Sequence, residues 1–128
     1  MKQTIVLIIS FFILSCSSLN EITKNNNKLA YRSDHELYAL AKSDMNRQKF
    51  KESIDSFIFL LEEFEDTEYK ADSYFAIAYL SKTFVNDKET AKKYFNKLIT
   101  EFPDSDIAKS AEFELNNIDN PDAIPELK

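Results

Sequence analysis

One thiol, one imidazole and a knot of carboxylates are the groups in this chain whose types could do chemistry. Cys16 is the only cysteine and His35 the only histidine. A structural or catalytic zinc site needs three or four nitrogen, sulfur or carboxylate ligands at close spacing, and His35 has no cysteine, second histidine or HExxH partner. It reads as a surface residue in the first turn of a helix. Glu62, Glu63, Glu65, Asp66 and Glu68 crowd into seven residues. Paired carboxylates can serve as acid and base, but these lack regular EF-hand spacing and any nucleophile beside them. They read as a solvated acidic turn, with docking of a basic partner surface as the second reading. The chain has no glycine. Phosphate loops, dinucleotide fingerprints and nucleophile elbows all need backbone positions that only glycine tolerates, so these three enzyme classes are excluded together. No enzymatic activity, cofactor or metal is expected.

Cys16 gains meaning from what precedes it. Lys2 is followed by an apolar run from Thr4 to Leu14, then Ser15, which is the layout of a secretory signal. About 11 apolar residues make a helix of roughly 16 Å, against a hydrocarbon core of about 30 Å, so the run is too short for a permanent span. A lone thiol cannot close an internal disulfide. Ile13-Leu14-Ser15-Cys16 resembles the lipobox of bacterial lipoproteins, with Ser15 and Cys16 in register. The resemblance implies cleavage before Cys16 and lipidation of its sulfur and new amino group. Residues 1–15 are then the signal peptide and 16–32 the lipidated cysteine with a polar, Asn-rich tether. Residues 33–118 form the folded domain and 119–128 an extended tail broken by Pro121 and Pro125. Removing residues 1–15 takes away Lys2 and no acid, so the formal charge of −6 becomes −7. An acidic chain of this kind is a poor ligand for nucleic acid. Nor does composition suggest electrostatic membrane binding, which leaves the lipid as the expected membrane attachment.

The folded region reads as all-α. Ser33-Asp34-His35-Glu36 forms a capping box ahead of a helix with Leu37, Leu40, Ala41 and Asp44 on successive turns. Asn46 to Lys49 turn the chain into a second helix with the stripe Ile54, Phe57, Leu60, Leu61 and Phe64. Thr67 is the expected N-cap of a third helix that carries Ala71, Tyr74, Ile77 and Ala78 inward. Asp87 is the expected cap of a fourth, with Ala91, Phe95, Leu98, Ile99 and Phe102. Pro103 stops it, and Ser105 caps a fifth with Ile107, Ala108, Ala111, Leu115 and Ile118.

Helices two and four superpose at an offset of 38, pairing Phe57 with Phe95, Leu60 with Leu98 and Phe64 with Phe102. Helices one and three superpose at 37, pairing Leu37 with Tyr74, Leu40 with Ile77 and Ala41 with Ala78. The pattern is that of two unequal helical hairpins and a capping helix. Ala91, Phe95, Leu98 and Pro103 resemble the second helix of a tetratricopeptide (TPR) repeat, as Ser53, Phe57 and Leu60 do more loosely. A lipobox, a tether and then hairpins of this order resemble the BamD-type lipoproteins. The segments that carry the likeness include 37–41, 50–54, 69–72, 76–79 and 102–105. The resemblance implies a shortened member: a lipoprotein of the bacterial outer membrane facing the periplasm, a protein-binding scaffold in β-barrel protein assembly. Its implied partners are a BamA-type β-barrel assembly protein or nascent outer-membrane proteins. A pilotin-like or Tol–Pal-type envelope adaptor is the alternative task for the same fold. In a TPR stack the first helix of each hairpin lines the concave face. That places Tyr38, Lys42, Met45 and Asn46 in a partner-binding groove with Phe75, Tyr79, Lys82 and Thr83. The competing reading packs Phe75 and Tyr79 against the fifth helix.

Overall fold

The computed structural model describes residues 33–120. The expected signal peptide, Cys16, the expected tether and the residues from 121 onward lie outside the described residues. Among the described residues there are five α-helices and no strand: α1 (Asp34–Asn46), α2 (Phe50–Glu63), α3 (Lys70–Leu80), α4 (Lys88–Glu101) and α5 (Asp106–Asn116). A π-helical turn, Ser81–Val85, continues α3.

Helix ends reflect the local chemistry. Ser33 Oγ accepts from the Glu36 N–H at 3.2 Å, Asp87 Oδ1 from the Thr90 N–H at 3.0 Å, and Ser105 Oγ from the Ala108 N–H at 3.2 Å. Each satisfies a donor that the first helical turn leaves orphaned. The C-terminus of α1 closes as a Schellman motif: Gln48 N–H donates to Met45 O and Lys49 N–H to Asp44 O. That motif requires a left-handed residue, which is usually glycine. In a glycine-free chain the position falls to Gln48, at φ 61°, and after the π-helical turn to Asn86, at φ 58°.

Thr67 corrects an expectation. The residue before α3 is Tyr69, which has no side-chain cap. Thr67 Oγ1 instead accepts from the Tyr69 N–H at 3.3 Å and donates to Asp34 Oδ2 at 2.7 Å. It therefore braces the loop into α3 against the start of α1. The loop is a turn wound around a buried threonine, whose N–H donates to Phe64 O and whose carbonyl accepts from the Lys70 N–H.

α1 packs on α2, α2 on α3, α3 on α4 and α4 on α5, with a lighter contact between α3 and α5. This is a chain of antiparallel hairpins, α1/α2 and α3/α4, closed by α5. Both halves of the internal repeat bury the same positions. Phe57 and Phe95, Leu60 and Leu98, and Ala41 and Ala78 are each fully buried. Within the first hairpin, Ser53 Oγ donates to Ala41 O at 2.8 Å. Small residues at this crossing let the backbones approach closely. The repeat puts Ala78 and Ala91, also fully buried, at the same crossing in the second hairpin. Ala71, Leu40, Ile107 and Leu115 are only half-buried, and Ile118 is buried from a turn beyond α5 rather than from its last helical turn.

The π-helical turn was not expected. Ile77, Leu80 and Ser81 are buried, and a regular helix would carry Phe84 on their face. One extra residue in the turn swings the residues after it by about 100°. Phe84 is consequently 52% exposed and lies flat on the Phe50 ring, centroids 3.9 Å apart. Leaving half that ring in water forgoes about 1 kcal/mol of burial.

A groove between the first helices of the two hairpins

Helical spacing brings one face of α1 and one of α3 to a shared groove of about 320 Å³. Tyr38, Lys42 and Met45 recur at i, i+4 and i+7 on α1, while Asp72, Phe75, Ala76 and Tyr79 recur at i, i+3, i+4 and i+7 on α3. Phe57 and Leu80 contribute from the core, and Ile107 from the first turn of α5.

The aromatic wall is ordered by ring contacts. Phe75 stacks on Tyr79, centroids 6.0 Å apart and 11° from parallel, and meets the buried Phe95 edge-on at 5.8 Å. Tyr79 is 38% exposed. Phe75 thus joins core to groove, while Tyr79 keeps a face for solvent or a ligand. At the other end Tyr38 stacks on Tyr69 at 4.2 Å and sets its edge against Phe57 at 5.9 Å. Its hydroxyl donates to Asp72 Oδ2 at 3.4 Å. Lys42 is exposed, and no hydrogen bond or ion pair engages it among the described residues. The groove is therefore apolar on its floor, aromatic on its wall, and carries one uncommitted cation.

Five of the eight residues expected in the groove line it: Tyr38, Lys42, Met45, Phe75 and Tyr79. Asn46, Lys82 and Thr83 do not. Asn46 is exposed at the last position of α1. Lys82 and Thr83 lie in the π-helical turn, whose wider coil breaks the spacing that would have continued Phe75 and Tyr79. Lys82 Nζ pairs instead with Glu114 Oε2 of α5 at 2.7 Å. Asp72 and Ala76 were missed although their spacing from Phe75 and Tyr79 was readable. Ile107 had no such signal, because only the docking of α5 brings it there.

His35 is exposed, with Nδ1 3.0 Å from the Tyr69 hydroxyl. No metal-binding cluster occurs among the described residues. Glu62, Glu63, Glu65, Asp66 and Glu68 are all exposed at the α2–α3 turn.

A second aromatic cluster is structural. Tyr74 is buried, and its hydroxyl donates to Glu101 Oε1 at 3.0 Å, while Lys70 Nζ lies 3.2 Å from Glu101 Oε2. Burial, then the hydrogen bond and negative charge of Glu101, hold the Tyr74 phenol well above the usual tyrosine range. Tyr94 is raised by burial and by Glu62, and Tyr38 by burial and by Asp72. All three keep their protons in the folded state beyond the ordinary value of 10.0, where the unfolded chain gives them up. The unfolded state then binds fewer protons than the native one, so stability falls as pH rises above about 10. Denaturant titrations at pH 8 and at pH 11 should show this loss, and Tyr74→Phe should lessen it. A pH-independent midpoint would contradict it.

Compared with known proteins, the chain matches no protein-family model and no curated relative.

Proposed function

We propose that this protein is a membrane-tethered helical scaffold that holds a segment of a partner protein in the α1/α3 groove. The observation that carries the reading is the half-exposed Phe75–Tyr79 stack facing the uncommitted Lys42 across an apolar floor. Exposed aromatics anchor a partner's apolar side chains, and a free ammonium steers and registers a partner carboxylate. The lipobox-like residues before Cys16 support export and lipidation. The likeness to BamD-type lipoproteins supports a place at the outer membrane in β-barrel assembly, with a BamA-type protein or a nascent barrel as the partner.

The test uses the full chain in its own cell. A photo-crosslinking residue in place of Tyr79 should capture the partner, and Cys16→Ala should leave the protein unprocessed or soluble on extraction. Tyr79→Ala should weaken binding of the captured partner by about 1–3 kcal/mol with no loss of helicity. Lys42→Glu should slow association. Capture of a secretin would move the protein to the adaptor role. Should Glu62→Lys with Glu63→Lys abolish binding while Tyr79→Ala and Lys42→Glu retain it, the acidic turn is the site and the groove is not.

A further inference from the structure

The α1/α3 groove holds two charges, one on each wall, and little hydrogen-bonding capacity between them. Lys42 and Asp72 are the only charged residues that line it, and both are exposed. The Tyr38 hydroxyl donates to Asp72 Oδ2 at 3.4 Å across the groove, so Tyr38 and Asp72 stand at one level. Lys42 lies one helical turn beyond Tyr38, about 6 Å further along α1. Apart from these three, only Tyr79 brings a side-chain nitrogen or oxygen to the lining. The walls are helices, whose backbone groups bond within the helix, and no strand occurs among the described residues. From Tyr38 to Met45 the lining extends about 10 Å, or two turns of α1. At its Met45 end the groove lacks the kind of tie that joins α3 to α5, where Lys82 meets Glu114 at 2.7 Å. At the offset of 37 that relates α1 to α3, Met45 takes the place of Lys82.

We infer that the groove takes a short amphipathic helix, with an acidic residue on one flank of its apolar stripe and a basic residue on the other. The inference rests on the groove being the partner site. Backbone chemistry selects the helix. An extended segment laid on this floor would bury N–H and C=O groups for which helical walls and four polar side chains offer too few partners. A helix satisfies its own backbone and presents side chains alone. Apolar side chains at i, i+3 or i+4, and i+7 cover two turns, which is the length of the lining. They would lie between the Phe75–Tyr79 stack on one wall and Met45 on the other. Charge then sets the flanks. The partner's acid belongs beside Lys42 and its base beside Asp72, about one turn apart. A helix with one sign on both flanks would set like against like at one wall.

The test uses the full chain and four fluorescently labelled peptides of about 15 residues that share one apolar stripe. The first carries Glu on one flank and Lys on the other, a turn apart. The second carries Glu at both places and the third Lys at both. The fourth is the Glu/Lys peptide with a central proline, which breaks the helix. Affinities are read by fluorescence anisotropy. The Glu/Lys peptide should bind most tightly, the two single-sign peptides roughly tenfold more weakly, and the proline peptide not measurably. Lys42→Glu should make the Lys/Lys peptide the tightest of the four, and Tyr79→Ala should weaken all of them. Equal affinities for the three charge patterns overturn the inference, as does undiminished binding of the proline peptide. Binding that Lys42→Glu and Tyr79→Ala leave unchanged overturns it too. So does a Glu/Lys peptide that fails to bind; capture of a partner through Tyr79 then decides whether the groove itself stands. A captured segment without an apolar stripe at helical spacing overturns the helix while keeping the groove as the partner site.

Discussion

Phe95→Ala and Phe57→Ala should each cost about 3–5 kcal/mol of folding stability, because each removes a fully buried ring and leaves a cavity. The rings do more than fill space. Phe95 backs the groove wall through its edge contact with Phe75, and Phe57 backs Tyr38 in the same way. A domain of about 88 residues has roughly 4–13 kcal/mol of net stability, so either change removes a large share of it. Urea denaturation followed by circular dichroism is the direct measurement. Phe95→Leu should retain much of what Phe95→Ala loses. A midpoint shift worth less than about 1 kcal/mol in both alanine variants would mean the internal repeat does not define the core.

Ala41→Leu and Ala78→Leu should destabilise by about 1–3 kcal/mol each, for the opposite reason. Both alanines are fully buried at the crossing of a hairpin, where Ser53 Oγ reaches Ala41 O at 2.8 Å. Three added carbons have nowhere to go, and relieving them means parting the helices and stretching that hydrogen bond. Ala39→Leu on the exposed side of α1 is the control, since leucine is nearly as good a helix former as alanine. It should change stability by only a few tenths of a kcal/mol. Equal effects at Ala39 and Ala41 would show that helix propensity, not the close crossing, governs this face. Additivity of the two destabilising changes would further show that the hairpins contribute as separate packing units.

Much of this architecture was readable in the residues. The caps at Ser33, Asp87 and Ser105 were legible because capping is local: a side-chain oxygen beside its own helix start needs no tertiary information. The offsets of 37 and 38 were legible because apolar periodicity records which face of each helix is buried. Five groove residues came from the TPR resemblance, in which the first helix of each hairpin lines the concave face. Thr67 was misassigned because the helix begins only at Lys70: its hydroxyl does accept from the Tyr69 N–H, but within the loop, which it also ties to Asp34, 33 residues away. Lys82 and Thr83 were misplaced because an i, i+3, i+4 extrapolation assumes an unbroken α-helix. Nothing local in Ser81-Lys82-Thr83-Phe84-Val85 signals the wider turn.

The sequence by itself determined the all-α class, the two hairpins with a closing helix and the exclusion of glycine-dependent sites. Those depend on side-chain size, period and backbone freedom, which each stretch of chain carries within itself. Only the tertiary structure decided where the groove ends, because Ile107 reaches it through the docking of α5. It also decided that Lys82 is neutralised by Glu114, and that Phe84 faces outward against Phe50. Charges and rings far apart in the chain become neighbours only when helices dock.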